Sequence, residues 1–374
     1  MIKQNKNEYF PDFVFKPGET LLETLQYIGM SQSELARRTG RPVKTISEII
    51  NGKAAITTDT ALQLERVLEI PAHFWNNLEQ NYREYLSRIQ ETHELAEDIE
   101  WINEIPHKDM MRLGWIETCK KPVDICKAIL GFFEVATPKA FRSLYQHGSV
   151  AFRSSKSSAD ISIATTVWLQ QGTKEARRLE CQPYNEQKFR SSLSSIRALT
   201  LIEEPKQFIP ELQAACASCG VAVVLVPEIE IPGKSGTQLC GAARWLSSDR
   251  ALIQLSLRYK DNGNFWFTFF HEAGHILLHS KRQVFMDEKL TDSGDALEAE
   301  ANTFACDTLI PQEMYEKFET NGIFTEEEVL LLAQKAGIAP GIIVGRLQHE
   351  GKINWNHLNH LKTKCDWKAF EPSA

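Results

Sequence analysis

Phe265-Trp266-Phe267-Thr268-Phe269-Phe270-His271-Glu272-Ala273-Gly274-His275-Ile276-Leu277-Leu278-His279 reads as one helix that is apolar nearly all round. A helix with that surface is buried rather than half-exposed. Inside it stands an H-E-x-x-H pattern. His271 and His275 sit at i and i+4, so both imidazoles leave from one face and can meet one metal ion. Glu272 is one step round, placed to take a proton from water at that ion rather than to bind the ion itself.

A catalytic site of this kind wants a third protein ligand. Leu297-Glu298-Ala299-Glu300-Ala301-Asn302-Thr303-Phe304-Ala305 reads as the next helix, with Asp292 or Ser293 as its N-cap. Glu298 and Glu300 lie about 200° apart around such a helix, so one at most can face the ion. Ala301, Phe304, Ala305 and Leu309 mark the packed face. Glu298 shares that face and Glu300 lies to the side, so Glu298 is the expected ligand. Asn302, at i+4 from Glu298, is placed to hydrogen-bond the second nitrogen of a histidine. His279 lies about 6 Å beyond His275 along the helix, too far to ligate unless the helix ends early. A packing or supporting role is expected of it.

Upstream of this helix, Val221-Ala222-Val223-Val224-Leu225-Val226 is a short apolar run ended by Pro227 and reads as a buried strand. Cys240 to Leu246 and Ala251 to Ser256, joined across Ser247-Ser248-Asp249-Arg250, read as a hairpin. Helical patterns cover 264–280, 295–309, 325–336 and 339–350, the last two as a two-helix unit with few basic residues. The tract from Phe152 to Pro205 is ambiguous, with serine-rich stretches at 154–158 and 191–195. The fold class is therefore mainly α with a small β-sheet, an α+β arrangement.

The N-terminal block is different. Residues 1–16 read as an irregular arm, and from Pro17 to about Leu86 short helical patterns follow one another with no strand signal. Ser31-Gln32-Ser33-Glu34 is a capping box. Leu35 and Ala36 give that helix an apolar face, and Gly40 ends it. Pro42 opens the next helix, whose inward face is Ile46, Ile49 and Ile50. Val43, Lys44, Thr45, Ser47 and Glu48 then lie mostly outward, and Asn51-Gly52-Lys53 closes the helix. Two short helices joined by a glycine-containing turn make a helix-turn-helix. Short polar groups and a lysine near the start of the second helix suit base edges and phosphates. Between residues 37 and 53, Arg37, Arg38, Arg41, Lys44 and Lys53 stand against Glu48 alone, a local basic patch.

The patch matters because the whole chain is acidic. It has 374 residues, 42 Lys+Arg against 49 Asp+Glu and a net charge of −7. That argues against coating nucleic acid with the entire surface, and the length suggests two or three domains. No run approaches the 18 or more apolar residues of a membrane span, and the first residues lack the apolar core of a secretory signal. Eight scattered cysteines, Cys216-x-x-Cys219 among them, are not a disulfide scaffold. A cytoplasmic protein with reduced thiols and no membrane partner is expected.

Both motif regions have relatives. Pro17-Gly18-Glu19, Ser31 to Ala36, Thr45 to Lys53, Ile56-Thr57, Ala61-Leu62 and Phe74 to Glu79 together resemble the Xre-type helix-turn-helix of HigA-like antitoxins, over 17–86. The resemblance implies sequence-specific binding of a double-stranded DNA operator, as a homodimer on a palindrome, with a cognate toxin as a further partner. The DNA-facing set is then Gln32, Arg41, Val43, Lys44, Thr45, Ser47, Asn51 and Lys53. Pro42 departs from the pattern, standing where relatives often have a capping serine. Phe265 to His279, followed by Glu298-x-x-Ala301-Asn302-x-Phe304-Ala305 and Leu309-Ile310-Pro311, is similar to the ImmA/IrrE-type metallopeptidases, over about 200–312. That resemblance implies a gluzincin-like fold, zinc or manganese held by His271, His275 and Glu298, Glu272 as general base, and an Xre-type repressor or other protein as substrate.

The expected organisation is a helix-turn-helix domain over 17–86, a helical connecting region over 87–199, a metallopeptidase domain over 200–312 and a helical tail packed on it over 313–374. Two functions fit. One is a DNA-binding regulator that is also a metal-dependent endopeptidase. The other is an antitoxin or regulator whose metal domain senses a signal or docks a partner without cutting it.

Overall fold

A computed structural model of the chain describes residues 14–146, 162–230, 239–258, 261–279, 285–287, 296–367 and 370. Asp292, Ser293, the stretch 154–158 and most of the N-terminal arm lie outside the described residues. The chain divides after Asp98 into two compact units.

The first unit is all helical: α1 (Pro17–Tyr27), α2 (Gln32–Thr39), α3 (Val43–Ile50), α4 (Thr58–Leu68) and α5 (Ala72–Glu97). Ser31 caps α2, its hydroxyl oxygen accepting the Glu34 N–H at 3.1 Å. Gly40 ends the helix at φ 67°, a left-handed position that glycine takes without steric cost. Pro42 sits just outside α3 as its N-cap, with no side-chain cap bond. Leu35, Ala36, Ile46 and Ile49 join Leu21, Leu25, Ala61, Leu64 and Trp75 in one core. That core fixes α3 with its polar residues outward.

Gly18 decides how closely α1 and α3 approach. A Cβ built on it would lie 2.3 Å from the carbonyl oxygens of both Ile49 and Ile50. Those are backbone atoms, so no side chain can swing away. Gly18→Ala is therefore expected to cost about 1–3 kcal/mol or more through forced backbone movement. Hydrogen exchange read by mass spectrometry should show faster exchange of α1 and α3 amides. Unchanged protection would contradict this packing.

The second unit runs α6 (His107–Arg112), α7 (Pro122–Phe133), α8 (Pro138–Phe141), α9 (Ile163–Arg178), α10 (Glu186–Ala198), α11 (Pro205–Ala217), β1 (Val221–Val226), β2 (Gly241–Ser247), β3 (Arg250–Ser256), α12 (Asn262–Leu278), β4 (Phe285–Asp287), α13 (Ala296–Leu309), α14 (Gln312–Asn321), α15 (Glu326–Ala336) and α16 (Pro340–His349). The strand order is β1-β3-β2-β4. β1 runs parallel to β3, with Val223 opposite Ile253, and the other pairs are antiparallel. The protein is thus mostly helical with one small sheet.

β1 is apolar throughout because both faces of the sheet are covered. Val221, Val223, Leu225, Ala243, Ile253 and Leu255 pack with Phe208 of α11 and with Trp266, Phe269 and Phe270 of α12. Ala222, Val224, Val226, Ala242 and Leu252 pack with Trp168, Leu169 and Ala176 of α9. α9 falls in the tract the sequence left ambiguous. Its pattern is blurred because it buries polar groups by bonding them: Gln170 donates to the Phe132 carbonyl at 3.2 Å and Gln171 to Glu175 at 2.8 Å. The sheet also bonds its backbone. Gln254, 0% exposed, donates from Nε2 to the Trp168 carbonyl at 2.7 Å and accepts from Arg244 Nη2 at 3.0 Å. Gly172 leaves the room: a Cβ there would lie 1.9 Å from the Gln254 amide oxygen.

The last helices belong to the same core as α12. Ile342, Ile343, Val344 and Leu347 of α16 are buried in it beside Trp266 and Phe269. Cys216 in the last turn of α11 and Cys219 in the turn ahead of β1 are both buried free thiols, and burial pushes the Cys216 thiol well above its ordinary range. Among the described residues no single helix is long and apolar enough to cross a membrane.

Candidate metal centre and nucleic-acid interface

α12 starts where the Asp261 carboxylate accepts the Asn264 N–H at 3.0 Å, and it runs through the core. His271, Glu272 and His275 are 2%, 0% and 2% exposed. α13 crosses α12 at Gly274. A Cβ on Gly274 would sit 3.1 Å from the Phe304 ring and 3.3 Å from the Ala301 Cα, so the small residue sets the close approach. Ala301 and Ala305 keep the facing side of α13 equally flat, and Glu298 is carried in on its first turn.

The result is three lone-pair atoms facing one another. His271 Nε2 lies 3.0 Å from His275 Nε2, and Glu298 Oε2 lies 3.2 Å from the first and 3.6 Å from the second. A tetrahedral ion with bonds of about 2.0–2.1 Å sets its ligand atoms about 3.3 Å apart, which these separations bracket. Two imidazole nitrogens and a carboxylate oxygen this close, and this buried, offer a cation three donors in place of water. The donor set therefore fits a divalent ion. Among the described residues no other group of three or more His, Cys, Asp or Glu meets this way.

Protonation agrees with ligation. Burial pulls the His275 imidazole down to about 4, against the raising pull of Glu298, so the ring is neutral at pH 7. Burial alone would raise the Glu298 carboxyl. The His271 and His275 rings beside it outweigh that and hold it well below the usual carboxylate range.

The far nitrogens of both histidines are also occupied. His271 Nδ1 lies 2.9 Å from Asn302 Oδ1, and its ring stacks against Phe267 with centroids 6.3 Å apart. His275 Nδ1 lies 2.9 Å from His279 Nδ1. α12 does end early, at Leu278, with His279 as its C-cap, so His279 turns back toward His275 instead of continuing outward. Glu300 reaches the ring nitrogen of His279 at 3.2 Å and does not join the central cluster.

Sequence reasoning missed one further feature. The Glu272 carboxylate lies against the start of β2, where a Cβ on Gly241 would be 2.5 Å from Glu272 Oε1 and 2.8 Å from the Thr268 methyl. A glycine inside a strand pattern is itself the signal for such an approach. A cavity of about 670 Å³ opens beside the cluster, reaching Phe267 and Asn302 on one side and Tyr315, Arg346 and Lys352 on the other. Its cations are engaged: Arg346 with Glu350 at 2.8 Å and over the Tyr315 ring at 3.5 Å, and Lys352 with Glu319 at 2.5 Å.

In the first unit, Val43 is 49% exposed and the Lys44 side chain 85% exposed, with only a 3.8 Å contact to Glu48. Thr45 and Ser47 are half-buried beside them on α3, and Lys53 is exposed just beyond it. Arg41 is tied back, its Nε donating to Gln63 Oε1 at 2.6 Å. Asn51 donates to the Ser47 carbonyl at 2.7 Å. Gln32 is half-buried at the start of α2. Arg37 and Arg38 both pair with Glu34 at the surface, an arrangement weak enough to exchange for phosphates.

Comparison with known proteins separates the two halves. Residues 28–75 match the family described as helix-turn-helix, and residues 229–348 match the peptidase family described as the IrrE N-terminal-like domain. A curated relative, the uncharacterized HTH-type transcriptional regulator YddM of Escherichia coli strain K12, is 33% identical over 64 residues, which make up 17% of this chain and 68% of that protein. The chain belongs to the helix-turn-helix family. This helix-turn-helix protein carries the IrrE-like peptidase domain behind its reader in the same polypeptide. Among solved structures, an addiction module antidote protein of the HigA family from Coxiella burnetii is 31% identical, covering 22% of this chain and 91% of that one, with a TM-score of 0.21. The Pseudomonas aeruginosa antitoxin HigA, solved with the higBA promoter, is 28% identical over 24% of this chain and 92% of that one, also with a TM-score of 0.21.

Proposed function

We propose that this protein is a cytoplasmic DNA-binding regulator whose second unit is a metal-dependent endopeptidase, acting on a partner repressor of the Xre type. The observation that carries the reading is the convergence of His271 Nε2, His275 Nε2 and Glu298 Oε2, with a fully buried carboxylate at the residue after His271. A purely structural site has no use for that carboxylate. Helix α12 across one sheet face, with the third donor supplied by the following helix, is a gluzincin-like arrangement.

His271, His275 and Glu298 would hold the ion, zinc or manganese. When bound, the ion supplies Lewis-acid polarisation of a carbonyl and acidifies water. Glu272, held against Gly241, accepts the proton as water attacks the peptide carbon, and returns it to the leaving amine. Asn302 orients His271. The burial of α12 keeps bulk water out, and the neighbouring cavity has room for a substrate side chain.

The first unit supplies the address. Val43, Lys44, Thr45 and Ser47 face outward from α3, with Gln32, Arg41, Asn51 and Lys53 flanking them. A homodimer on a palindromic operator suits the motif, and a cognate toxin suits the HigA-like reading. Lys44→Ala should weaken binding to every duplex and flatten the salt dependence. Thr45→Ala or Ser47→Ala should instead change preference among sequences, by about 1–3 kcal/mol each. Gel-shift titration of a selected operator beside a scrambled duplex reads both, and equal wild-type affinity for the two would remove sequence-specific reading.

Chelation tests the coupling of the two activities. Stripping divalent ions from the full chain should stop fragmentation of the partner repressor and leave operator binding intact. Fragmentation that persists in excess chelator would contradict the metal reading.

A further inference from the structure

His279 and Glu300 lie outside the cluster of three, yet they connect to it. His275 Nδ1 is 2.9 Å from His279 Nδ1, and His279 Nε2 is 3.2 Å from Glu300 Oε2. The His279 side chain is 2% exposed and that of Glu300 61% exposed, so the chain of contacts runs from solvent to the buried site. We infer that Glu300 and His279 form a positioning arm that fixes the tautomer of His275 and thereby aims its Nε2 lone pair at the divalent cation. The inference rests on the metal reading above.

The order of protons follows from the end of the arm. An ionised carboxylate only accepts hydrogen bonds. Glu300 therefore requires the His279 proton on Nε2, which leaves Nδ1 of that ring unprotonated and able to accept. Two imidazoles facing each other through Nδ1 share one proton, so His275 Nδ1 must carry it and donate. His275 Nε2 is then unprotonated, and it faces His271 Nε2 at 3.0 Å and Glu298 Oε2 at 3.6 Å.

The other histidine lacks such an instruction. His271 Nδ1 meets Asn302 Oδ1, and a side-chain amide can turn to offer a donor or an acceptor. The arm works only because α12 stops. His279 is the C-cap at φ −113° and ψ 168°, and its N–H bonds back to the His275 carbonyl at 3.2 Å. A helix continued through this residue would carry the ring away. Groups in this outer position commonly contribute 10–100-fold to metal affinity.

The test uses the full chain, with zinc as the probe. Nitrogen-15 imidazole spectra of metal-free and zinc-loaded protein should show His275 protonated at Nδ1 and His279 at Nε2. In Glu300→Ala the His279 signals should move toward a mixture of tautomers. Zinc affinity, measured by competition with a chromophoric chelator, should fall about 10–100-fold in His279→Leu, which keeps bulk but offers no acceptor. His279→Asn keeps an acceptor near the Nδ1 position and should recover most of that loss. Equal loss in Leu and Asn variants would make His279 a packing residue and overturn the arm, as would a proton found on His279 Nδ1. A wild-type chain that takes up no zinc would fail the metal reading separately, and the imidazole spectra would still decide the arm.

Discussion

Removing any member of the converging trio should empty the site. His271→Ala, His275→Ala and Glu298→Gln are each expected to lose most of the bound divalent ion while keeping the fold. Three protein donors about 3.0–3.6 Å apart form one centre, and two cannot hold it at the same affinity. Glu300→Gln should keep the metal, because its carboxylate bonds His279 and a glutamine oxygen can still accept there. Elemental analysis of the purified variants separates these outcomes. Wild-type metal content in the histidine variants would remove the site, and loss in Glu300→Gln with retention in Glu298→Gln would move the ligand.

Glu272→Gln should have the opposite profile: full metal content, intact folding and a cleavage rate lower by about 10²-fold or more. The amide keeps the size of the carboxylate and fits the same place against Gly241, but it cannot accept a proton. Operator binding by Glu272→Gln should match wild type, since Glu272 lies in the second unit and the residues proposed to face DNA lie in the first.

The sequence carries the parts of this account that depend on local spacing. The capping box at Ser31, the glycine stop at Gly40 and the isoleucine face of α3 are short-range signals, and the first unit folds as they direct. The i, i+4 histidines and the apolar surround of α12 are equally local, and so is the small-residue face that places Glu298 and Asn302 on one side of α13.

Contacts made over long sequence distances are harder to read. α9 covers the second face of the sheet, yet its buried Gln170 and Gln171 hide the pattern, because their partners, the Phe132 carbonyl and Glu175, show only in the fold. β4 is three residues at the sheet edge, too short for any alternation to register. A helix continued to 280 puts His279 a turn beyond His275, whereas the chain leaves helical geometry right after Leu278, the early end that the spacing left open. Glu300, to the side of α13's packed face by helical spacing, is on the correct side for His279.

The central claim is that the buried cluster cuts a protein while the same chain reads DNA. Its most direct test is incubation of metal-loaded chain with a candidate Xre-type repressor, wild type beside Glu272→Gln, with fragments identified by mass spectrometry. The account predicts a defined cleavage by wild type that falls by about 10²-fold or more in the variant at equal metal content. Equal fragmentation by both would assign the cutting to a contaminant. Failure of both to cut, with zinc and with manganese, would contradict the peptidase reading and leave a regulator whose metal domain senses or docks.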